Sequence, residues 1–237
     1  MKNKTKIIIV IVAFIAVLAL GIILFNDVKE KNGGDKADDG KPVNIDAEDI
    51  VIDTATEGIS VVSVDSIAGM FVEDGTDEVL SDILTVTFRN DTDRTLQYAK
   101  LILAVGEDEY VFEISTLPAG ASVRAMEINR KPFVSSKGDV SLRQENVAWF
   151  LDEPSMYENM FSITQRNNAI IVENISGSTV NAPIYVYYKN YTDGVYIGGI
   201  TYRASTQEQL EPGQTVVLNA NHFDPEVSRL MFITYAP

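Results

Sequence analysis

The chain has 237 residues, no cysteine, one histidine, one tryptophan and a formal net charge of −15. Without cysteine there is no disulfide, no thiolate metal site and no lipid-modified cysteine, so a hydrophobic core must hold the folded part by itself. Acidic residues outnumber basic ones, 34 to 19, and no Lys/Arg cluster reverses this locally, which sets the surface against nucleic acid and anionic lipid headgroups.

Ile7 to Phe25 is an unbroken run of nineteen residues with no charged or polar side chain. As a helix it reaches roughly 28 Å, close to the hydrocarbon thickness of a bilayer. It predicts a single transmembrane helix, with the lipid bilayer as the chain's first partner. Lys2, Lys4 and Lys6 precede the run, and Asn26, Asp27, Lys29, Glu30 and Lys31 follow it with little net charge. Positive charge stays inside, so residues 1–6 are read as a cytoplasmic tail and the C-terminal part as extracytoplasmic. The competing reading is a cleaved signal peptide. That would have an apolar region of about 7–15 residues and a small-x-small cleavage site. The run is longer, and Phe25-Asn26-Asp27-Val28 offers no such site. A six-residue tail has no room for an output domain, so any signal would pass through partners.

Residues 26–45 are rich in Gly, Asp and Lys and nearly devoid of large apolar side chains, which predicts a flexible stalk. Beyond it the apolar period becomes two. Ile59 to Val64, Leu84 to Arg89, Leu101 to Val105 and Tyr110 to Ile114 alternate. So do Ile170 to Glu173, Ile184 to Tyr188, Val195 to Tyr202, Thr215 to Leu218 and Met231 to Tyr235. These β-branched and aromatic runs are bounded by Gly, Asn, Asp and Pro, which predicts strands of antiparallel sandwiches.

The pattern repeats internally. Val86 to Leu96 aligns with Ile170 to Val180: a strand ends at Asn90 or Asn174, a polar turn follows, and an apolar residue comes six positions later. Each copy continues to a long strand, then to Leu117-Pro118-Ala119-Gly120 or Leu210-Glu211-Pro212-Gly213, then to a further strand, Ser122 to Ile128 or Thr215 to Leu218. Three matches in one order predict two related sandwich domains, residues 46–152 and 153–237. Between them, Asp152 is placed to cap a short helix with Pro154 in its first turn. Trp149 and Phe150 are expected to finish the first core or to pack between the domains.

The second copy, Ala169 to Val180, Ile184 to Lys189, Asp193-Gly194 and Leu210 to Gln214, resembles the bacterial FxLYD-type β-sandwich modules of extracytoplasmic proteins. The resemblance covers about Phe161 to Tyr235 and, in looser form, Gly58 to Phe150; Gly198 to Gln209 departs from a compact version. It implies an all-β chain of two tandem antiparallel immunoglobulin-like β-sandwich domains for adhesion or interaction, and it carries no catalytic residues.

The chemistry on offer is sparse. His222, with Asp224 two positions on, is the one candidate for a triad, but no Gly-x-Ser-x-Gly elbow accompanies it and no second histidine supports zinc. Carboxylates cluster at Glu73 to Glu78, at Asp91 and Asp93, and at Glu107 to Glu109. Calcium takes about six to eight oxygens. A calcium site would draw on Asp74, Asp77, Asp91 and Asp93, against the alternative of solvated turns. Tyrosines crowd two neighbouring strands. Alternation puts Tyr185 and Tyr187 on one face and Ile184, Val186 and Tyr188 on the other. Tyr185, Tyr187, Tyr191 and Tyr196 are therefore candidates either for a domain interface or for an exposed patch that meets a partner or a glycan. Asn90-Asp-Thr92, Asn174-Ile-Ser176 and Asn190-Tyr-Thr192 match the N-glycosylation pattern but read as turns.

The expectation is a non-enzymatic, membrane-anchored binding or scaffolding protein of the cell envelope, of a Gram-positive bacterial kind, holding an envelope or membrane protein. A glycan- or calcium-dependent surface module and an envelope hydrolase are the alternatives.

Overall fold

The computed structural model describes the backbone of Val51 and Ile52, residues 58–132 and residues 140–236. The expected membrane span, Ile7 to Phe25, and the expected stalk lie outside the described residues. Every regular element described is a strand. The first half holds β1 (Val51–Ile52), β2 (Ile59–Phe71), β3 (Glu78–Asn90), β4 (Leu96–Val105), β5 (Asp108–Leu117), β6 (Ser122–Met126) and β7 (Val140–Trp149). The second holds β8 (Phe161–Arg166), β9 (Ala169–Asn174), β10 (Asn181–Thr192), β11 (Val195–Thr206), β12 (Thr215–Asn219) and β13 (Ser228–Ala236).

Strand order repeats between the halves. In the first, β6-β3-β2 and β7-β4-β5 are neighbouring triplets; in the second, β12-β9-β8 and β13-β10-β11 occupy the same ranks. Alternation gives each triplet one apolar face, and the two faces close on each other. Leu84, Val86 and Phe88 of β3 meet Leu101, Leu103 and Phe112 from the opposite triplet, with Phe88 and Phe112 edge-to-face at 5.5 Å. Ile170 and Val172 of β9 likewise meet Ile184, Val186 and Ile233. Ile184, Val186 and Tyr188 do share the core side of β10, and Tyr185 and Tyr187 the other.

The Asn of the repeat does the same work twice. Asn90 is fully buried; its Nδ2 donates to the carbonyls of Arg94 (2.8 Å), Leu117 (3.0 Å) and Pro118 (3.1 Å), and its Oδ1 accepts from the Thr92 amide and hydroxyl. Asn174 donates to Ser178 O (2.8 Å) and Leu210 O (2.7 Å) and accepts from the Ser176 amide and hydroxyl. The side chain satisfies the turn's backbone groups and ties it to the Leu-Pro or Leu-Glu-Pro corner. Leu96 and Val180, six positions on, are both buried.

The halves share one sheet. β11 pairs in parallel with β6, Tyr196 with Val123 and Ile197 with Arg124, and so fuses two triplets into the six-stranded sheet β13-β10-β11-β6-β3-β2. The described residues form one compact unit.

Two details differ from the sequence expectations. Residues 140–149 and 161–166, which read as irregular or went unassigned, are strands. The segment after Asp152 is not a helix. Tyr157 has φ of 48°, and the carbonyl of Ser155 accepts from Ile233 N at 3.0 Å, so the segment runs against β13. Tertiary hydrogen bonding overrides a capping signal followed by few helix-forming residues. In line with the expectation for the aromatic pair, Trp149 packs on the first core and Phe150 sits edge-to-face on Phe232 of β13 at 5.5 Å.

Candidate functional site

The densest chemistry lies where the halves meet. It originates in an irregularity of β10–β11. Tyr188 pairs with Tyr202 and Asn190 with Ile197, so Lys189 on one strand faces the four residues 198–201 on the other. This bulge puts Tyr188 and Lys189, consecutive residues, both inside. Gly198 occupies the bulge at φ of +81°, and a Cβ there would stand 2.6 Å from Val72 Cγ2. At Gly199 a Cβ would stand 1.8 Å from the carbonyl oxygen of Glu113, so only glycine fits.

Two charges converge on that glycine from opposite sides. Lys189 is fully buried, and its Nζ donates to the carbonyls of Ser115 (3.0 Å), Gly199 (2.9 Å) and Ile200 (2.7 Å). Glu73 lies two residues beyond the end of β2, in the turn toward β3. Its Oε1 accepts from Met126 N (2.7 Å) and Gly199 N (2.9 Å), and its Oε2 from Gly199 N (2.9 Å) and Ile200 N (3.2 Å). Glu73 is only partly buried as a residue, but both carboxylate oxygens are spent on amides. Burial pushes its carboxyl up, against the amides of Gly199 and Met126 and the Lys189 charge. Burial pushes Lys189 down, against the Glu73 charge. The bonding fits the ionised pair: three ammonium protons meet three carbonyls, and the carboxylate meets only N–H donors. Thr201 Oγ1 donates to Ser115 O at 2.9 Å, adding a link between β11 and β5.

A cleft of about 220 Å³ opens beside this lock. The long β2–β3 hairpin supplies Met70, Val72 and Asp77; the β8–β9 turn supplies Asn168; β10 and β11 supply Asn190 and Tyr202; the segment before β13 supplies Asn221, His222, Phe223 and Asp224. His222 does not act with Asp224. Its Nδ1 lies 3.1 Å from Asp77 Oδ2, and its ring stacks on Tyr202 at 4.8 Å. Asp224 Oδ1 instead accepts from the Glu226 amide at 2.9 Å. Asn190 Oδ1 accepts from the Ser228 hydroxyl at 2.7 Å. Burial pushes the Tyr188 phenol, behind His222, up to about 12.

The carboxylates proposed for calcium are not brought together. Asp74 and Asp77 flank one end of β3, Asp91 and Asp93 the other, roughly 40 Å apart at about 3.3 Å per residue. Asp74 accepts from Thr76 N (3.0 Å) and Thr76 Oγ1 (2.7 Å) and pairs with Arg130, which also holds Glu78; Asp91 pairs with Arg89. The Thr76 hydroxyl and amide, with Arg130, hold the Asp74 carboxyl at about 2. Among the described residues no group of three or more His, Cys, Asp or Glu is placed to hold a metal ion.

The tyrosines form two separate pairs, one midway along β10 and one where β10 turns into β11. Tyr185 and Tyr187 lie 6.3 Å apart on the outer face, half-buried. Tyr187 stacks on Phe232 at 4.2 Å, and Arg203 covers Tyr185 at 4.9 Å. Tyr191 and Tyr196 meet at 5.0 Å, with Arg229 over Tyr191 and Tyr196 packed on the first half's core. Tyr196 thus belongs to the junction between the halves.

The sequence places Glu73 only within a carboxylate cluster and Tyr202 only among the crowded tyrosines, and it singles out neither Lys189 nor Gly199. The signals were a lysine inside the apolar run Tyr185 to Tyr191 and the glycine pair in the stretch that departs from the FxLYD-type pattern. No protein-family model matches the chain, and no curated protein matches it either.

Proposed function

We propose that the chain is a non-catalytic, membrane-anchored binding or scaffolding protein of the cell envelope. In this reading Ile7 to Phe25 span the bilayer with the N-terminus inside, and two tandem immunoglobulin-like β-sandwich domains outside engage an envelope or membrane protein. The observation that carries it is the buried lock of Glu73, Gly199 and Lys189 together with the shared six-stranded sheet. Two sandwiches fused in this way present their outer faces and edges at a fixed spacing, which suits a scaffold more than a pair of independent modules. The charge balance supports a protein partner over nucleic acid.

The test is crosslinking in intact cells through a C-terminal tag, followed by mass spectrometry of what co-purifies. One dominant envelope or membrane protein is the expected result. A chain that crosslinks to no protein would overturn the scaffold reading.

A further inference from the structure

The cleft beside the lock has a character that the scaffold reading does not use. Four separate segments bring polar groups with unspent bonding capacity to one small space. Asn168 and Asn221 are exposed at its rim with both amide groups available. Asn190 has spent its Oδ1 on Ser228, which leaves its amide N–H groups. His222 has spent Nδ1 on Asp77, which leaves Nε2, and Asp77 and Asp224 each keep a second carboxylate oxygen. Convergent polar groups of this kind, backed by a few apolar ones, mark small-molecule sites.

The lining also selects the class of ligand. It contains two carboxylates and no lysine or arginine, which excludes an anion such as a phosphate, sulfate or carboxylate. It is too small and too polar for a large apolar ligand. Asp77 accepts from His222 Nδ1 and Asp224 from the Glu226 amide, which leaves each carboxylate one oxygen able to accept from a hydroxyl. A compact ligand whose hydroxyls both donate and accept meets all of these groups at once, the amides and imidazole as well as the two carboxylate oxygens. Met70, exposed at the edge of the cleft, supplies the apolar contact that the C–H face of a sugar ring needs.

We propose that this cleft binds one neutral sugar unit of a glycan. Asn168, Asn190 and Asn221 reach its hydroxyls, Asp77 fixes the imidazole tautomer, and His222 Nε2 makes a further bond to the ring substituents.

Saturation-transfer difference NMR on the full chain in phosphatidylcholine nanodiscs tests this. The probes are the methyl glycosides of glucose, galactose, mannose and N-acetylglucosamine. Transfer to at least one of them is expected. Asn168→Gly, which keeps the left-handed turn at φ of 60°, combined with Asn221→Ala should weaken it roughly tenfold, the loss of one or two hydrogen bonds, at unchanged Tm. If the double variant lowers Tm, Asn221→Ala alone, at an exposed position, decides. No transfer from any of the four sugars, or transfer unchanged in the variants, would overturn the proposal. Transfer from Nα-acetyl-lysine methylamide in place of the sugars would also overturn it and assign the cleft to a basic side chain of a protein.

Discussion

Replacing Lys189 by methionine removes the charge at the centre of the junction and keeps most of the side-chain volume. The carbonyls it leaves are not all orphaned: Ser115 O still accepts from Thr201 Oγ1, and Gly199 O from Ser115 Oγ at 3.1 Å. The cost comes from Glu73, whose carboxylate stays inside without its counter-charge. Breaking one side of a buried ion pair costs about 3–5 kcal/mol, and the amide donors that Glu73 retains place this case near the lower end. For a unit of this size each kcal/mol moves Tm by roughly 2–4 °C, so Lys189→Met should lower Tm by about 6–12 °C. The assay is thermal unfolding of the full chain in nanodiscs, followed by circular dichroism in the strand band. Glu73→Gln and the double variant complete a cycle. The double variant should be more stable than the sum of the singles predicts, by about 1–3 kcal/mol. A Tm drop under about 2 °C, or additive singles, would show that the two charges do not act through Gly199 as argued.

Gly199→Ala should prevent folding or destabilise by more than about 3 kcal/mol in denaturant titration, since its Cβ would overlap the Glu113 carbonyl. Gly177→Ala, with nothing within 4 Å of its Cβ, should stay within about 0.5 kcal/mol of the parent in the same titration. Asn90→Ala and Asn174→Ala should each cost about 2–4 kcal/mol by equilibrium unfolding, and nearly additively, because each serves its own core. Expressed in a glycosylating host, the folded chain should carry no glycan at either Asn by intact-mass analysis, because both side chains are inside. Asp74 titrates in the folded chain at about 2, below its ordinary value of 3.8, so its stabilising contribution is present above pH 3.8 and is lost as pH falls through about 2. Carboxyl-carbon NMR should record that midpoint, and Arg130→Ala should raise it only in part, because Thr76 contributes most.

The strands were legible because each core strand carries its apolar residues on one face at period two, as in Leu84 to Phe88 and Ile184 to Tyr188. The repeat was legible because its Asn must sit at one fixed offset from a turn and a leucine corner. β7 was not, since its burial along Val140 to Trp149 is mostly partial and leaves no clean alternation. The junction was illegible for a physical reason. A bulge breaks the period, so Lys189 points inward beside Tyr188 where simple alternation sends it outward. Glu73 was hidden differently: it heads a run of acids whose other members are solvated or paired at the surface, and composition cannot tell which one turns in. The His222–Asp77 contact joins residues far apart in sequence, and the nearer Asp224 was the natural partner to name.

The bond between Glu73 and Gly199 spans 126 positions along the chain. Contacts of such sequence separation close late, after the loop entropy between them has been overcome. Without β11 and residues 199 and 200, the edge of β6 that pairs with β11 has no cover and Glu73 lacks two of its three amide partners. An N-terminal fragment ending before that point carries an open strand edge, the feature by which β proteins aggregate. The second half thus supplies both the strand that covers β6 and the amides that take up Glu73, so the first half is complete only when the second is present.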